Sequence, residues 1–355
     1  MRTIHIGSRT IAADEPTYFV ADISANHDGD LERAKALIQL AAESGADAAK
    51  FQNFRAEHIV SVRGFEDLGA QMGHQSKWNR PVTEVYGDAS LPWEWTPILL
   101  DTCREAGIEY FSAPYDLESV EMLDPFVRLF KIGSGDITWT EMLEAVASKG
   151  KPVLLATGAS DIGEVQRAMA VIEALNPEVC VMQCNTNYTG SVENFSHIHL
   201  NVLKTYALLF PAAVLGLSDH TAGHSVALGA VALGARVIEK HFTDDRTRSG
   251  PDHPFSMQPG DWREMVGRTR ELEAALGSTR KVVAHNERET VVVQRRAVRA
   301  VRDLALGKVL ERTDVEPLRP APAGSVTPED MGTLVGRTLV RDIEAGQHLV
   351  PGDIA

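Results

Sequence analysis

Gly216-Leu217-Ser218-Asp219-His220 and Val237-Ile238-Glu239-Lys240-His241-Phe242 decide how the chain folds. Each is a short apolar run ending in polar residues, and a helix-patterned segment, Gly223 to Gly234, lies between them, so the three read as strand, helix, strand. That is one βα unit of a parallel sheet or barrel. The two histidines close their strands, and parallel neighbours lie roughly 4.8 Å apart, so both imidazoles can point into one mouth and share a cation. A lone histidine at a strand end is more often a hydrogen-bonded structural residue. Two at matching ends of consecutive strands, one in Ser-Asp-His and the other beside Glu239 and Lys240, favour a metal site.

Outward from this unit the same alternation recurs. Further strands are expected at Tyr18 to Ile23, Ala48 to Phe54, Tyr110 to Pro114, Leu129 to Ser134, Val153 to Gly158 and Val179 to Cys184. Helical patterns separate them: Asp30 to Ser44 stopped by Gly45, Trp139 to Ser148, and Ile162 to Leu175. Eight such units specify an α/β fold, a (β/α)8 TIM barrel, in which strand C-termini and the loops after them build the site. A doubly wound open sheet is the competing arrangement. Thr3 to Ala12 alternates around Gly7-Ser8, a hairpin suited to closing the bottom of a barrel. Between Ser61 and Pro92 regularity fails, and a connection this long reads either as a lid or as an ordered surface excursion.

After Gly277 the texture changes. Barrel residues 1–280 are followed by a polar stretch, 281–295, that reads as a linker, and by 296–355, short alternating runs broken by turn residues. The last is a small β-rich domain whose core is meagre alone, so docking on the barrel or on another subunit is expected.

The bulk numbers narrow the function. The 355 residues carry a formal charge of −14 with no basic block, which argues against a nucleic-acid binder. A few lysines focused in a cleft can still attract a small anion. The three cysteines, Cys103, Cys180 and Cys184, show no metal-finger spacing and read as buried structural thiols in a reducing cytoplasm. No apolar run reaches membrane-spanning length.

The polar residues near the strand ends are Asp22, Lys50, Gln52, Ser112, Lys131, Ser134, Asp136, Thr157, Tyr188, Ser218, Asp219, His220, Glu239 and His241. Lysine binds phosphate or carboxylate as a compact point charge, and hydroxyls and turn amides complete an anion's shell. The set suits a small phosphorylated acid beside a metal-activated carbonyl. Taken singly, each residue has a plainer role. The lysines can be structural ion pairs with Glu239 or Asp219, Ser112 and Ser134 can cap helices, Asp22 and Asp252 can be turn residues, and Tyr188 can pack a rim.

Several ordered motifs carry a resemblance. Asn26-His27-Asp28-Gly29, Lys50-Phe51-Gln52, Lys131-Ile132-Gly133-Ser134-Gly135-Asp136, Ala156-Thr157-Gly158, Gly216 to His220, Glu239 to Thr243 and Gly250-Pro251-Asp252-His253 stand in the order and spacing of the sialic acid synthase family. The C-terminal part resembles the antifreeze-like (SAF) domain of that family. The resemblance implies a phosphoenolpyruvate-dependent condensation with the aldehyde of an open-chain N-acylated hexosamine, giving a nonulosonic acid and phosphate. It implies a divalent metal, manganese or magnesium, on His220 and His241, and phosphoenolpyruvate contacts from Lys50, Lys131, Ser134 and Ser218. Gln52, Asp136, Tyr188 and Asp252 fall where the acceptor is held. Arg319 matches an arginine that the SAF domain extends into the barrel of the other subunit, which implies a domain-swapped homodimer. Asp22 and Asp136 are the expected catalytic carboxylates.

The chain departs from the family pattern in places. Asp22 and Asp136 stand where glutamate is usual, Ala113 and Ala156 where hydroxyl residues are usual, and Thr186 where asparagine is usual. A lost hydrogen bond to a charged group costs on the order of 1.5–3 kcal/mol if nothing replaces it. A related condensing enzyme with a different acceptor in secondary metabolism, or a ligand-binding barrel without turnover, are the alternatives these departures raise.

Overall fold

A short antiparallel hairpin, β1 (Thr3–Ile6) and β2 (Arg9–Ala12), precedes eight parallel strands in the computed structural model, which describes residues 3–69, 75–76 and 78–355. The strands are β3 (Tyr18–Asp22), β4 (Ala48–Asn53), β5 (Glu109–Pro114), β6 (Phe130–Ile132), β7 (Val153–Ala156), β8 (Val179–Cys184), β9 (Val214–Asp219) and β10 (Val237–His241). Their hydrogen-bonded order is β5-β4-β3-β10-β9-β8-β7-β6, and β6 packs back beside β5. The sheet therefore runs round a nearly closed barrel, and the doubly wound alternative fails.

Burial explains the strands. β3, β8, β9 and β10 are buried along their whole length, as parallel strands covered on both faces must be. Helices enclose them. Leu31–Glu43 starts at Asp30, whose side chain accepts from the amides of Glu32 and Arg33, a cap worth about 1 kcal/mol. Ile162–Leu175 opens with a reciprocal Asp161 and Glu164 capping box. The hairpin buries Ile4, Ile6 and Ile11 in the barrel core, and Arg236, just before β10, donates to the Ala13 carbonyl, so the hairpin sits at the strands' N-terminal ends.

Register positions the site. In parallel ladders residues paired side by side share a face. His241 pairs with Asp22, Asp22 with Lys50, Glu239 with Ser218, and Ser218 with Cys184. One continuous ring of inward residues results.

The long connection is not structureless. Helices Val62–Asp67 and Val82–Ala89 lie along it, while its residues 70–74 and 77 fall outside the described residues. The chain divides into two compact units, Met1–Gly277 and Ser278–Ala355. The second unit holds its own core, with Val298, Leu310, Val315, Leu339 and Leu349 buried, and pairs β11 (Ala297–Ala300) antiparallel with β12 (Val315–Leu318). The stretch read as a linker contains a short helix, Arg288–Gln294. Its three consecutive valines give no amphipathic period and weaken helix propensity, which hid it in the sequence. Among the described residues no helix is long and apolar enough to cross a membrane.

Candidate active site

A cavity of about 380 Å³ opens at the C-terminal ends of the barrel strands. Asp22, Lys50, Gln52, Lys131, Ser134, Asp136, Tyr188, Ser218, His220, His241 and Asp252 all line it, with Glu239 among them. Three residues gathered with them from the sequence point elsewhere. Ser112 pairs in register with Phe51 on the outer face and donates to Asn53 at 2.6 Å. Asp219 lies on the outer face and takes Lys240 as its partner at 2.5 Å. Thr157 donates to the Met182 carbonyl and meets Tyr206 of an outer helix. Arg319 belongs to the second unit, where it is exposed and its Nε donates to the Gln294 carbonyl at 2.6 Å.

The cavity floor is a cluster of buried charges. Lys50 Nζ lies 2.7 Å from Asp22 Oδ2 and 4.0 Å from Glu239 Oε1, and Lys131 Nζ lies 3.5 Å from the same Glu239 oxygen. The Ser218 hydroxyl donates to that oxygen at 3.0 Å. Asp22 Oδ1 and Glu239 Oε2 are buried without a hydrogen-bond partner. Burial opposes the Lys50 charge, but the Asp22 and Glu239 carboxylates outweigh it and raise its pKa above the ordinary lysine value. The ion pairs weighed against ligand binding thus exist, and they leave two carboxylate oxygens of cavity-lining residues without a partner.

Ser134 caps no helix. Its Oγ accepts from the Gly158 amide at 2.9 Å, binding the loop after β6 to the loop after β7. A Cβ on Gly158 would stand 2.4 Å from Thr186 Cγ2 and 2.9 Å from Ser134 Oγ, so only glycine fits there. Ala156 lines the cavity with no hydroxyl, and neighbouring Cys184, read as a structural thiol, also lines it. Burial raises the Cys184 pKa, which keeps it protonated.

The imidazoles of His220 and His241 meet at the mouth, their ring centroids 5.4 Å apart and inclined by 45°. Tyr188 packs edge-on against His220 at 4.3 Å, and Phe255 against His241 at 4.9 Å. His220 Nδ1 lies 2.9 Å from the Asn185 carbonyl, which can only accept, so Nδ1 carries the proton and Nε2 keeps its lone pair. Burial, helped by His241, lowers the His220 pKa to about 3, so the ring stays neutral. His241 Nδ1 is buried without a hydrogen-bond partner. Two imidazoles, one fixed in tautomer by a backbone acceptor and one carrying an orphaned nitrogen, suit a divalent cation at nitrogen–metal distances of about 2.1 Å. Among the described residues no group of three or more His, Cys, Asp or Glu side chains is arranged to hold a metal ion. A cation here would take two protein ligands and fill its shell from water or substrate.

The rim is sewn from two distant motifs. Asn26 donates to the Phe242 carbonyl and to Ser256, both at 2.9 Å. His253, fully buried, bridges Thr243 at 2.7 Å and Asp28 at 2.9 Å, and Asp28 also faces Arg33 and Arg248. The loops after β3 and β10 are thereby locked, and Asp252 accepts from the Ala25 amide at 3.3 Å. Asp136, across the cavity, has a buried oxygen without a partner, and burial, partly offset by Lys131, raises its pKa to about 6. Sequence reasoning missed Tyr115 and Phe54 as cavity walls, and it gathered Glu239 with the strand-end residues without assigning it a ligand contact. The shared parity of Glu239 and His241 on one strand was the available signal for Glu239.

Residues 37–281 match the NeuB family, and residues 295–355 match the SAF domain. The chain belongs to the NeuB family. This NeuB chain is 34% identical over 343 residues to an N,N'-diacetyllegionaminic acid synthase of Legionella pneumophila, covering 94% of this chain and 93% of that one. It is 31% identical over 337 residues to the human N-acetylneuraminate-9-phosphate synthase, covering 95% and 92%. The crystal structure of the N-acetylneuraminic acid synthetase from Leptospira borgpetersenii superposes with a TM-score of 0.71 at 27% identity, over 81% of this chain and 95% of that one. The NeuB protein described here is an enzyme of the sialic acid synthase class.

Proposed function

We propose that this NeuB protein condenses phosphoenolpyruvate with the aldehyde of an open-chain N-acylated hexosamine, releasing phosphate and a nonulosonic acid. The observation that carries the reading is one cavity holding two buried ammonium groups beside a pair of imidazoles. Lys50 and Lys131 bind the phosphate and carboxylate of the enol phosphate as point charges, and the Ser134 hydroxyl and the Ser218 hydroxyl, rotated from Glu239, donate to them. Gln52, Asp136, Tyr188 and Asp252 hold the acceptor with its aldehyde toward the imidazoles.

A divalent cation, manganese or magnesium, held by His220 and His241 would supply Lewis-acid polarisation of the acceptor carbonyl. The enol methylene carbon forms the new bond to the aldehyde carbon. Water then adds at the phosphate-bearing carbon, Asp22 takes its proton through the unpartnered Oδ1, and the C–O bond to phosphate breaks. Asp136 holds a proton up to about pH 6 and orients an acceptor hydroxyl. Tyr188 keeps the ring of His220 fixed and narrows water's access.

A homodimer belongs to the same reading, supported by the small core of the second unit, and light scattering in solution measures it. So does residence in a reducing cytoplasm, which three free buried cysteines suit. The deciding experiment incubates the full chain with phosphoenolpyruvate, manganese and a panel of N-acylated hexosamines. Phosphate release matched by a product joining both carbon skeletons is expected. Tight phosphoenolpyruvate binding with no phosphate released for any acceptor would make this a binding barrel instead.

A further inference from the structure

Strand β5 brings nothing polar to the cavity along its own length, although it lies between the two strands that carry the cavity lysines. Its residues in register with Lys50 and Gln52 of β4 are Phe111 and Ala113. Tyr115, just past the strand, ends that deficit: it lines the cavity. Its amide donates to the Asn53 carbonyl at 3.2 Å, and Phe54 packs edge-on against its ring at 5.7 Å. The ring is thereby tied to the end of β4. Its hydroxyl reaches across to β6 and lies over Gly133, where a Cβ would stand 3.4 Å from the oxygen. Lys131 and Ser134 flank that spot along the chain.

Other phenols of the barrel have partners. Tyr86 shares a hydrogen bond with Gln75, and Tyr206 meets Thr157 at 2.9 Å and Gln183 at 3.4 Å. Among the described residues none hydrogen-bonds the Tyr115 hydroxyl. Burial first, then Tyr188, Asp136 and Asp22, hold its pKa well above the ordinary tyrosine value, so the phenol stays protonated and stays a donor. A donor that faces a cavity without a protein partner is available to a ligand. An anion seated between Lys50 and Lys131 would supply the missing acceptor.

We propose that Tyr115 is a further phosphoenolpyruvate-binding residue, its hydroxyl donating a hydrogen bond to an anionic oxygen of the enol phosphate seated between Lys50 and Lys131. It keeps its proton throughout and transfers nothing. A neutral donor adds affinity for an anion without adding a charge that Asp22 or Asp136 could take as an ion-pair partner. This rests on the enol phosphate site of the reaction proposed above.

The test is calorimetric binding of phosphoenolpyruvate to the full chain with manganese present, in native, Tyr115→Phe and Tyr206→Phe forms, with thermal unfolding of each. Losing one hydrogen bond to a charged group weakens binding by about 10- to 100-fold, which is expected for Tyr115→Phe with a native melting temperature. Tyr206→Phe strips a hydroxyl that serves Thr157 and Gln183, so it should melt lower and bind phosphoenolpyruvate as the native chain does. Native affinity in Tyr115→Phe, or an equal loss in Tyr206→Phe, would overturn the proposal and leave the reaction standing. No binding of phosphoenolpyruvate by the native chain would remove the site and the proposal together. Phosphate release with the acceptor panel is scored separately. If none is released while Tyr115→Phe still weakens binding, the condensation fails and the Tyr115 contact stands.

Discussion

Two buried lysine–aspartate pairs lie on neighbouring strands of this barrel, and they are built to opposite ends. Lys240 and Asp219, on the outer face, form a closed set: Lys240 also donates to the Thr221 carbonyl, and Asp219 accepts from both the amide and the hydroxyl of Thr221. Lys50 and Asp22, on the inner face, share their surroundings with Glu239 and Lys131, and carboxylate oxygens there remain unpartnered. Glu239, Lys240 and His241 are consecutive, so one step along β10 moves a side chain from the site to the scaffold. A closed pair serves stability, and an open one keeps its charges for a ligand.

Substitutions can break that contrast. The largest effect is expected at the mouth: His220→Ala or His241→Ala should abolish metal-dependent turnover with the thermal unfolding profile preserved. Unchanged activity would contradict the metal assignment. Next, Lys131→Met should lower kcat/KM by about 10²–10³-fold, as losing one charge-stabilising donor does. Lys240→Met should instead cost about 3–5 kcal/mol of stability by stranding Asp219, with turnover per folded molecule retained; chemical denaturation and active-site titration separate the two.

Serines sharpen the contrast at lower amplitude. Ser218→Ala removes a hydroxyl facing a charged ligand, worth about 1.5–3 kcal/mol, and should raise KM for phosphoenolpyruvate accordingly. Ser112→Ala, on the outer face, should cost about 1 kcal/mol of stability and leave kinetics alone. A pH-dependent effect is expected at Asp136. Its carboxyl keeps a proton to about pH 6 when folded, well above its unfolded value, so the native state loses stability as pH rises through that range. Asp136→Asn removes the loss, and its melting temperature should exceed the native one by more at pH 7.5 than at pH 4.5.

The sequence discloses the barrel because fully buried parallel strands are continuous apolar runs, which helical patterns then separate. Strand ends are legible for the same reason, and parity along β10 puts Glu239 and His241 together. The face of an isolated residue is not legible. Ser112 sits at a strand end just as Lys50 does, and only the register that pairs it with Phe51 turns it outward. Asp219 and Thr157 fail likewise, since each finds its partner, Lys240 or Tyr206, through tertiary contact. Val85 and Ala89 were hidden for another reason: they reach the cavity wall only through the tertiary placement of the helix Val82–Ala89.

Phosphoenolpyruvate affinity, measured by calorimetry on Lys131→Met and Lys240→Met side by side with the native chain, tests the division between open and closed charges most directly. Loss of binding by about 100-fold or more in Lys131→Met, with native affinity in folded Lys240→Met, is the predicted result. Equal affinity in both variants, or weaker binding in Lys240→Met alone, would contradict it.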